Sequence, residues 1–311
     1  QALVLSGRLD GFMLEDVLPG EDGGAGLTLP IHLDSLAVNR IDVGDFAVNG
    51  ATLGGTVGQD GFKIDIDSRE LIGVVSQTGD EVMSLSFAAV NVPAGEAEGD
   101  PLTADLIPDL PAADVWIDRL MLGEDDYGNW RFELRPGDGA LTVANLRADV
   151  RGVTVTASEP LVWQADPGRT RFRGTLDGGD LSVVLPQWGY APTVETEEAV
   201  LEGEFTWDGS PLAVDLFRVR GRASARAEDG RFLDVESGAG AQRILSLLNF
   251  TAIAKRMALN FGDVFGRGIS FDELTAEIRL DEGLLEFVEP MEVEGTGSSF
   301  RVTGSVDLEA G

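Results

Sequence analysis

Trp130-Arg131-Phe132-Glu133-Leu134 alternates apolar and charged side chains without a break. Successive side chains of an extended strand point to opposite faces, so Trp130, Phe132 and Leu134 share one face and Arg131 and Glu133 the other. A helix would scatter both sets around its circumference. The same period of two recurs in both directions along the chain. Upstream, Phe62, Ile64 and Ile66 alternate with Lys63, Asp65 and Asp67, and Val115-Trp116-Ile117 repeats the motif. Downstream come Leu141-Thr142-Val143, Val153-Thr154-Val155, Phe205-Thr206-Trp207 and Phe300-Arg301-Val302. Asp60-Gly61, Asp138-Gly139, Asp177-Gly178, Asp208-Gly209 and Asp229-Gly230 follow such runs and are expected as turns. Short alternating runs punctuated in this way predict antiparallel β structure over most of the chain.

Composition removes whole classes of function. The 311 residues carry 23 Lys plus Arg against 54 Asp plus Glu, a formal charge of −31, and only Lys63 and Lys255 are lysines. That charge opposes nucleic-acid phosphate and anionic lipid surfaces. With no cysteine there is no disulfide framework, thiolate nucleophile or Cys-ligated metal, and His32 is the single histidine. An apolar fraction of 43% is too high for a disordered chain despite the charge. No run of about 18 apolar residues is present to span a bilayer. The opening Gln1-Ala2-Leu3-Val4-Leu5 lacks the basic and apolar regions of a signal peptide. The expectation is therefore an excised piece whose anchor lies elsewhere.

Val38-Asn39-Arg40-Ile41-Asp42-Val43-Gly44-Asp45 parallels Ile117-Asp118-Arg119-Leu120-Met121-Leu122-Gly123-Glu124, which suggests a repeated hairpin unit. The segment 93–113 is rich in Pro, Gly and acid and has no periodicity, so it divides a first β unit, 1–92, from a second, 114–236. The region 237–311 breaks the pattern. Ile244, Leu247, Phe250, Ala254, Met257 and Phe261 recur every three or four residues, predicting an amphipathic helix over 239–258 ahead of the final strands.

No catalytic constellation assembles. Carboxylates are so abundant that pairs such as Asp65 and Asp67 read as one solvated strand face. Glu124-Asp125-Asp126-Tyr127-Gly128-Asn129 lacks the calcium-loop spacing. Gly238-Ala239-Gly240 precedes the predicted helix without the third glycine of a phosphate-binding loop. The chain is expected not to be an enzyme and to hold no cofactor or metal. What remains is the apolar side of the alternation. A sheet that curls without closing turns that side into a groove, and each acyl methylene buried there contributes about 0.8 kcal/mol. The alternative is the same face packed by its own side chains as an ordinary core. Val115, Ile117, Trp130, Phe132, Leu134, Leu141, Val143, Phe205 and Trp207 are the groove candidates, with the inward parity left open.

The last two thirds carry a further pattern. Ala227-Glu228-Asp229-Gly230-Arg231-Phe232-Leu233, Ile244-Leu245-Ser246-Leu247-Leu248-Asn249-Phe250 and Leu259-Asn260-Phe261-Gly262-Asp263-Val264-Phe265 resemble the C-terminal region of YhdP-type AsmA-like envelope proteins. Thr170-Arg171-Phe172 and Trp207-Asp208-Gly209-Ser210-Pro211 agree as well, and the likeness is specific from about Asp114 onward. Ala254 stands where that family would place a proline. The resemblance implies an elongated, curled antiparallel sheet forming an open apolar groove, with a short amphipathic helical element near the C-terminus. It implies a periplasmic portion of an inner-membrane-anchored Gram-negative protein, carrying phospholipid acyl chains towards the outer membrane. The helix would cap, gate or touch the membrane. A structural or assembly factor for outer-membrane proteins, pairing sheet edges with client strands, is the alternative function. A carbohydrate-active β protein using two acids stands third.

Overall fold

The alternating runs are realised as strands. The computed structural model describes residues 2–13, 29–43, 46–93, 100, 102–215, 217–233 and 269–307. The chain divides into two compact units, Gln1–Ala148 and Asp149–Gly311. The helix predicted over 239–258, with all six residues of its apolar face, lies outside the described residues.

Unit 1 holds β1 (Leu3–Leu5), β2 (Arg8–Leu9), β3 (Phe12–Met13), β4 (Ile31–Val43), β5 (Phe46–Gly58), β6 (Gly61–Asp67), β7 (Leu71–Thr78) and β8 (Met83–Val92). It continues with β9 (Ala113–Ile117), β10 (Leu120–Leu122), β11 (Asp125–Asp126), β12 (Asn129–Gly137) and β13 (Ala140–Val150), the last crossing the unit boundary. β4 to β8 form an antiparallel meander. The short β1, β2 and β3 pair parallel to successive parts of β4. β8 takes β9 and β10 as parallel neighbours, and β9 pairs antiparallel with β12. Parallel neighbours cannot be joined by a tight turn. The Pro- and Gly-rich segment 93–112 supplies the crossover between β8 and β9, and its 3-10 helix, Ala104–Asp109, buries Ile107.

Unit 2 is antiparallel throughout its described ladders. β14 (Val153–Ala157) and β15 (Leu161–Gln164) both pair with β16 (Arg169–Asp177), which pairs with β18 (Glu198–Asp208). β19 (Arg220–Phe232) pairs with β18 and with β17 (Val194–Glu195), then with β20 (Ile269–Asp281). β21 (Leu284–Phe287), β22 (Met291–Gly295), β23 (Ser298–Val302) and β24 (Ser305–Asp307) complete the ladder. One helix, α1 (Leu181–Gln187), lies between β16 and β17. Every described strand of unit 2 belongs to this one ladder, yet one of its faces is buried. The sheet therefore curls over its own inner side.

Three turn expectations change. Asp60-Gly61 and Asp138-Gly139 do close hairpins, with Gly139 at φ +70. Asp177-Gly178 instead leads into α1. Asp208-Gly209 opens a longer loop with a 3-10 turn at Pro211–Ala213. Asp229-Gly230 lies inside β19, where Asp229 adopts φ +44. That left-handed residue kinks the strand where its partner changes from β18 to β17. The eight-residue sequence repeat has no structural counterpart. Val38 to Val43 run within β4, whereas Ile117 to Leu122 are interrupted between β9 and β10.

Candidate functional site

Register decides which side chains share a face. In unit 1, Ile117, Val115 and Ala113 of β9 stand opposite Trp130, Phe132 and Leu134 of β12. On the other edge of β9, Met83, Leu85 and Phe87 of β8 align with Ala113, Val115 and Ile117. Met83, Ala113 and Val115 form a buried cluster, and Phe62, Val75, Leu85, Ile117, Phe132 and Leu134 pack against it half-buried. Five groove candidates thus lie together on one apolar face. Leu141 and Val143 are also buried, on one face of β13.

The opposite face is polar. Arg131 sits over the Trp116 ring at 5.5 Å from its centroid. Arg135 bridges Asp114 at 2.7 Å and Glu133 at 2.9 Å, and the Asn145 amide donates to Glu133 at 2.6 Å. These pairs are about one third exposed or more and contribute little to stability; their role is to keep charge off the inner side.

Unit 2 builds the same two-faced sheet from different residues. Phe205 and Trp207 of β18 stand opposite Phe172 and Thr170 of β16. Next to them lie Gly203 opposite Gly174, then Ala223, Ala225 and Ala227 of β19 and Ala276 of β20. Rings lie down across the glycines. A Cβ at Gly203 would come 2.9 Å from Phe205 Cζ and 2.6 Å from Ala223 Cβ; at Gly174 it would meet Phe172 Cζ at 2.7 Å. Phe172 and Phe205 are nearly parallel, 15° apart with centroids 6.5 Å apart. The flat rings cover backbone that glycine leaves bare, and glycine lets the strands bend inward. The Trp207 indole N–H donates to the Ser210 carbonyl at 2.8 Å and the Thr170 hydroxyl to the Gly209 carbonyl at 2.7 Å. The buried Trp163 indole N–H has no hydrogen-bond partner among the described residues.

The outer face of unit 2 is a lattice of arginines and carboxylates. Glu159 bridges Arg171 at 2.9 Å and Arg173 at 2.8 Å, and Arg231 pairs with Glu195 at 2.5 Å. Arg220 pairs with Glu282; the Glu282 charge, then that of Asp208, outweighs the opposing burial and raises the Arg220 guanidinium pKa further. At α1, burial alone would push the Asp180 carboxyl up. Hydrogen bonds from Ser182 and the Thr196 amide outweigh it and hold the group below the usual carboxylate value.

Among the described residues no group of three or more His, Asp or Glu side chains is placed to hold a metal ion, and no helix is long and apolar enough to cross a membrane. Two surface depressions, of about 430 and 260 Å³, lie at the β5–β6 turn and on the outer face of β18 and β19. Neither is lined by a candidate from the sequence. The inner faces, with their apolar side chains in register, are the extended feature that these elements have in common.

The family comparison coincides with this two-faced β architecture. The sequence model of the YhdP protein family matches residues 2–311. The chain belongs to the YhdP family. A curated relative, the intermembrane phospholipid transporter YhdP of Escherichia coli (strain K12), is 19% identical over 300 residues, covering 93% of this chain and 23% of the relative. The chain thus spans about a quarter of that relative's length. No solved structure gives a significant match. The YhdP match extends upstream of Asp114, where the sequence offered generic strand pattern alone, so it embraces both units.

Proposed function

We propose that this chain is a periplasmic portion of a phospholipid conduit between inner and outer membrane, with acyl chains lying along the apolar inner face of its curled sheets. The observation that supports this is the register. Apolar side chains of five strands, β6 to β9 and β12, gather on one face of unit 1, while the alternate residues of β9 and β12 form the charged, ion-paired side. Family membership supplies the cargo class: the E. coli relative is named for phospholipid transport between membranes. The inner membrane is reached through an anchor outside this sequence, and the outer membrane or its proteins lie at the far end of the path. Nothing in the reading requires a cofactor or a catalytic residue.

Photocrosslinking tests it. A crosslinking amino acid at the half-buried inward positions Ile117, Trp130 and Phe132 is expected to capture phospholipid in cells. The register neighbours Trp116 and Arg131, on the opposite face, are expected to capture none. Equal capture from both faces, or none from either in a folded protein, overturns the proposal. Capture of protein clients along β1, whose Leu3, Val4 and Leu5 are exposed, would favour the assembly-factor alternative instead.

A further inference from the structure

From Leu181 to Val194 the chain carries no charged residue, although one residue in four is charged overall. This stretch forms α1 and the turn after it. Asp180 caps the helix by accepting from the Ser182 amide at 2.8 Å. Val184 is buried beneath α1 against Gly152, where an added Cβ would stand 3.2 Å from Val184 Cγ2. On the same segment Val183 is 58% exposed, Trp188 37% and Tyr190 40%. Trp188 is held in place: its indole N–H donates to the Arg151 carbonyl at 3.2 Å, and the Arg151 guanidinium lies 5.7 Å from the ring centroid. The flanking carboxylates are engaged elsewhere, Asp180 in the cap and Glu195 with Arg231.

We propose that this α1 corner docks on the headgroup–acyl boundary of a zwitterionic phospholipid bilayer. Val183 supplies an apolar side chain, and Trp188 and Tyr190 supply rings with one dry and one hydrated edge, the residues that favour that boundary. A carboxylate here would oppose phosphate, and the corner has none over fourteen residues of a strongly acidic chain. The same charge argues against a second copy as the occupant, since two molecules at −31 repel. The proposal goes beyond the conduit reading and can fail independently of it.

Flotation of the full chain with phosphatidylcholine vesicles tests it. The wild-type chain is expected to float with the vesicles, and added salt to leave binding unchanged. Trp188→Ser with Tyr190→Ser is expected to weaken binding by roughly tenfold or more. Val183→Ser, at the most exposed of the three positions, lowers it to a smaller extent and serves if the double variant does not fold. Leu212→Ser, on an exposed loop at the opposite ends of the strands, is expected to leave it intact. A wild-type chain that stays with the unbound fraction overturns the proposal. So does a folded double variant that floats as well as wild type, an equal loss from Leu212→Ser, or a dimer that these substitutions abolish without any vesicle binding. Lipid crosslinking at Phe132, run in parallel, separates the two readings: it persists in the double variant if corner and conduit are distinct.

Discussion

Units 1 and 2 solve one problem with different materials. Unit 1 fills its inner face with branched and long side chains, Leu33, Leu36, Val38, Ile41, Val48 and Leu53 forming one buried cluster. Unit 2 runs a strip of Gly and Ala down the middle of its sheet and lays Phe172, Phe205 and Phe271 across it. Among its described residues, unit 1 has one such contact, Phe87 against Gly73. Their connections differ too, since unit 1 admits parallel neighbours and unit 2 is an antiparallel ladder. The contrast teaches that a one-sided sheet needs an apolar inner layer of adequate volume, and that bulk or flat rings over bare backbone supply it equally. The two solutions differ in what they tolerate.

The largest effect is expected from removing a ring. Phe205→Ala uncovers both Gly203 and Gly221 and should cost about 3–5 kcal/mol, read from the denaturant midpoint. Phe87→Ala, at a half-buried ring in unit 1, should cost clearly less. Equal losses would erase the distinction between the units. Next comes Gly203→Ala, whose Cβ meets Ala223 Cβ and the Arg222 carbonyl at 2.6 Å each; about 2 kcal/mol is expected. In unit 1, Gly54→Ala meets nothing closer than 3.9 Å and should stay within about 0.5 kcal/mol of wild type. A harmless Gly203→Ala would show that the strip is not tightly covered.

Asp180→Ala removes the α1 cap at a cost of about 1 kcal/mol, measurable by amide exchange at Ser182. The folded carboxyl titrates below the unfolded value near pH 3.9, so its contribution is full at neutral pH. It fades as pH falls below about 4. Asp180→Asn keeps an acceptor and should lose that pH dependence. The smallest effect belongs to the outer lattice. Glu159→Gln releases both Arg171 and Arg173, yet all three are about half exposed; a shift of roughly 0.2–1 kcal/mol, shrinking with added salt, is expected in thermal melts.

The faces were legible because alternation is a local code. Trp130, Phe132 and Leu134 read as one side from the sequence, and register places Val115 and Ile117 beside them. What the sequence withheld was non-local or ambiguous chemistry. Segment 93–112 has the composition of a linker, and only pairing shows it to be a crossover between parallel neighbours. Asp229-Gly230 has the letters of a turn, but a continuous β20 partner holds β19 extended on both sides of it. Leu181 to Gln187 is short and contains Pro186, which masks a helix; the Asp180 cap ahead of an uncharged run was the available signal. The glycines of β16 and β18 carry no local signal, because the rings that need them, Phe172 and Phe205, are defined by pairing and packing. Which candidates pack as core and which would touch cargo depends on curvature, and alternation carries no information about that.

The rings laid over the Gly and Ala strip of unit 2 are themselves buried, Phe172 and Phe205 at 7% exposure and Phe271 at 2%. They are a lining beneath the surface and not the surface itself. A side chain added at Gly174, Gly203 or Gly230 would have to lift a ring, because its Cβ would stand 2.7, 2.9 or 2.2 Å from a ring carbon. Glycine therefore works as a keyway: it fixes how low each ring sits, and with that the height of everything packed above it.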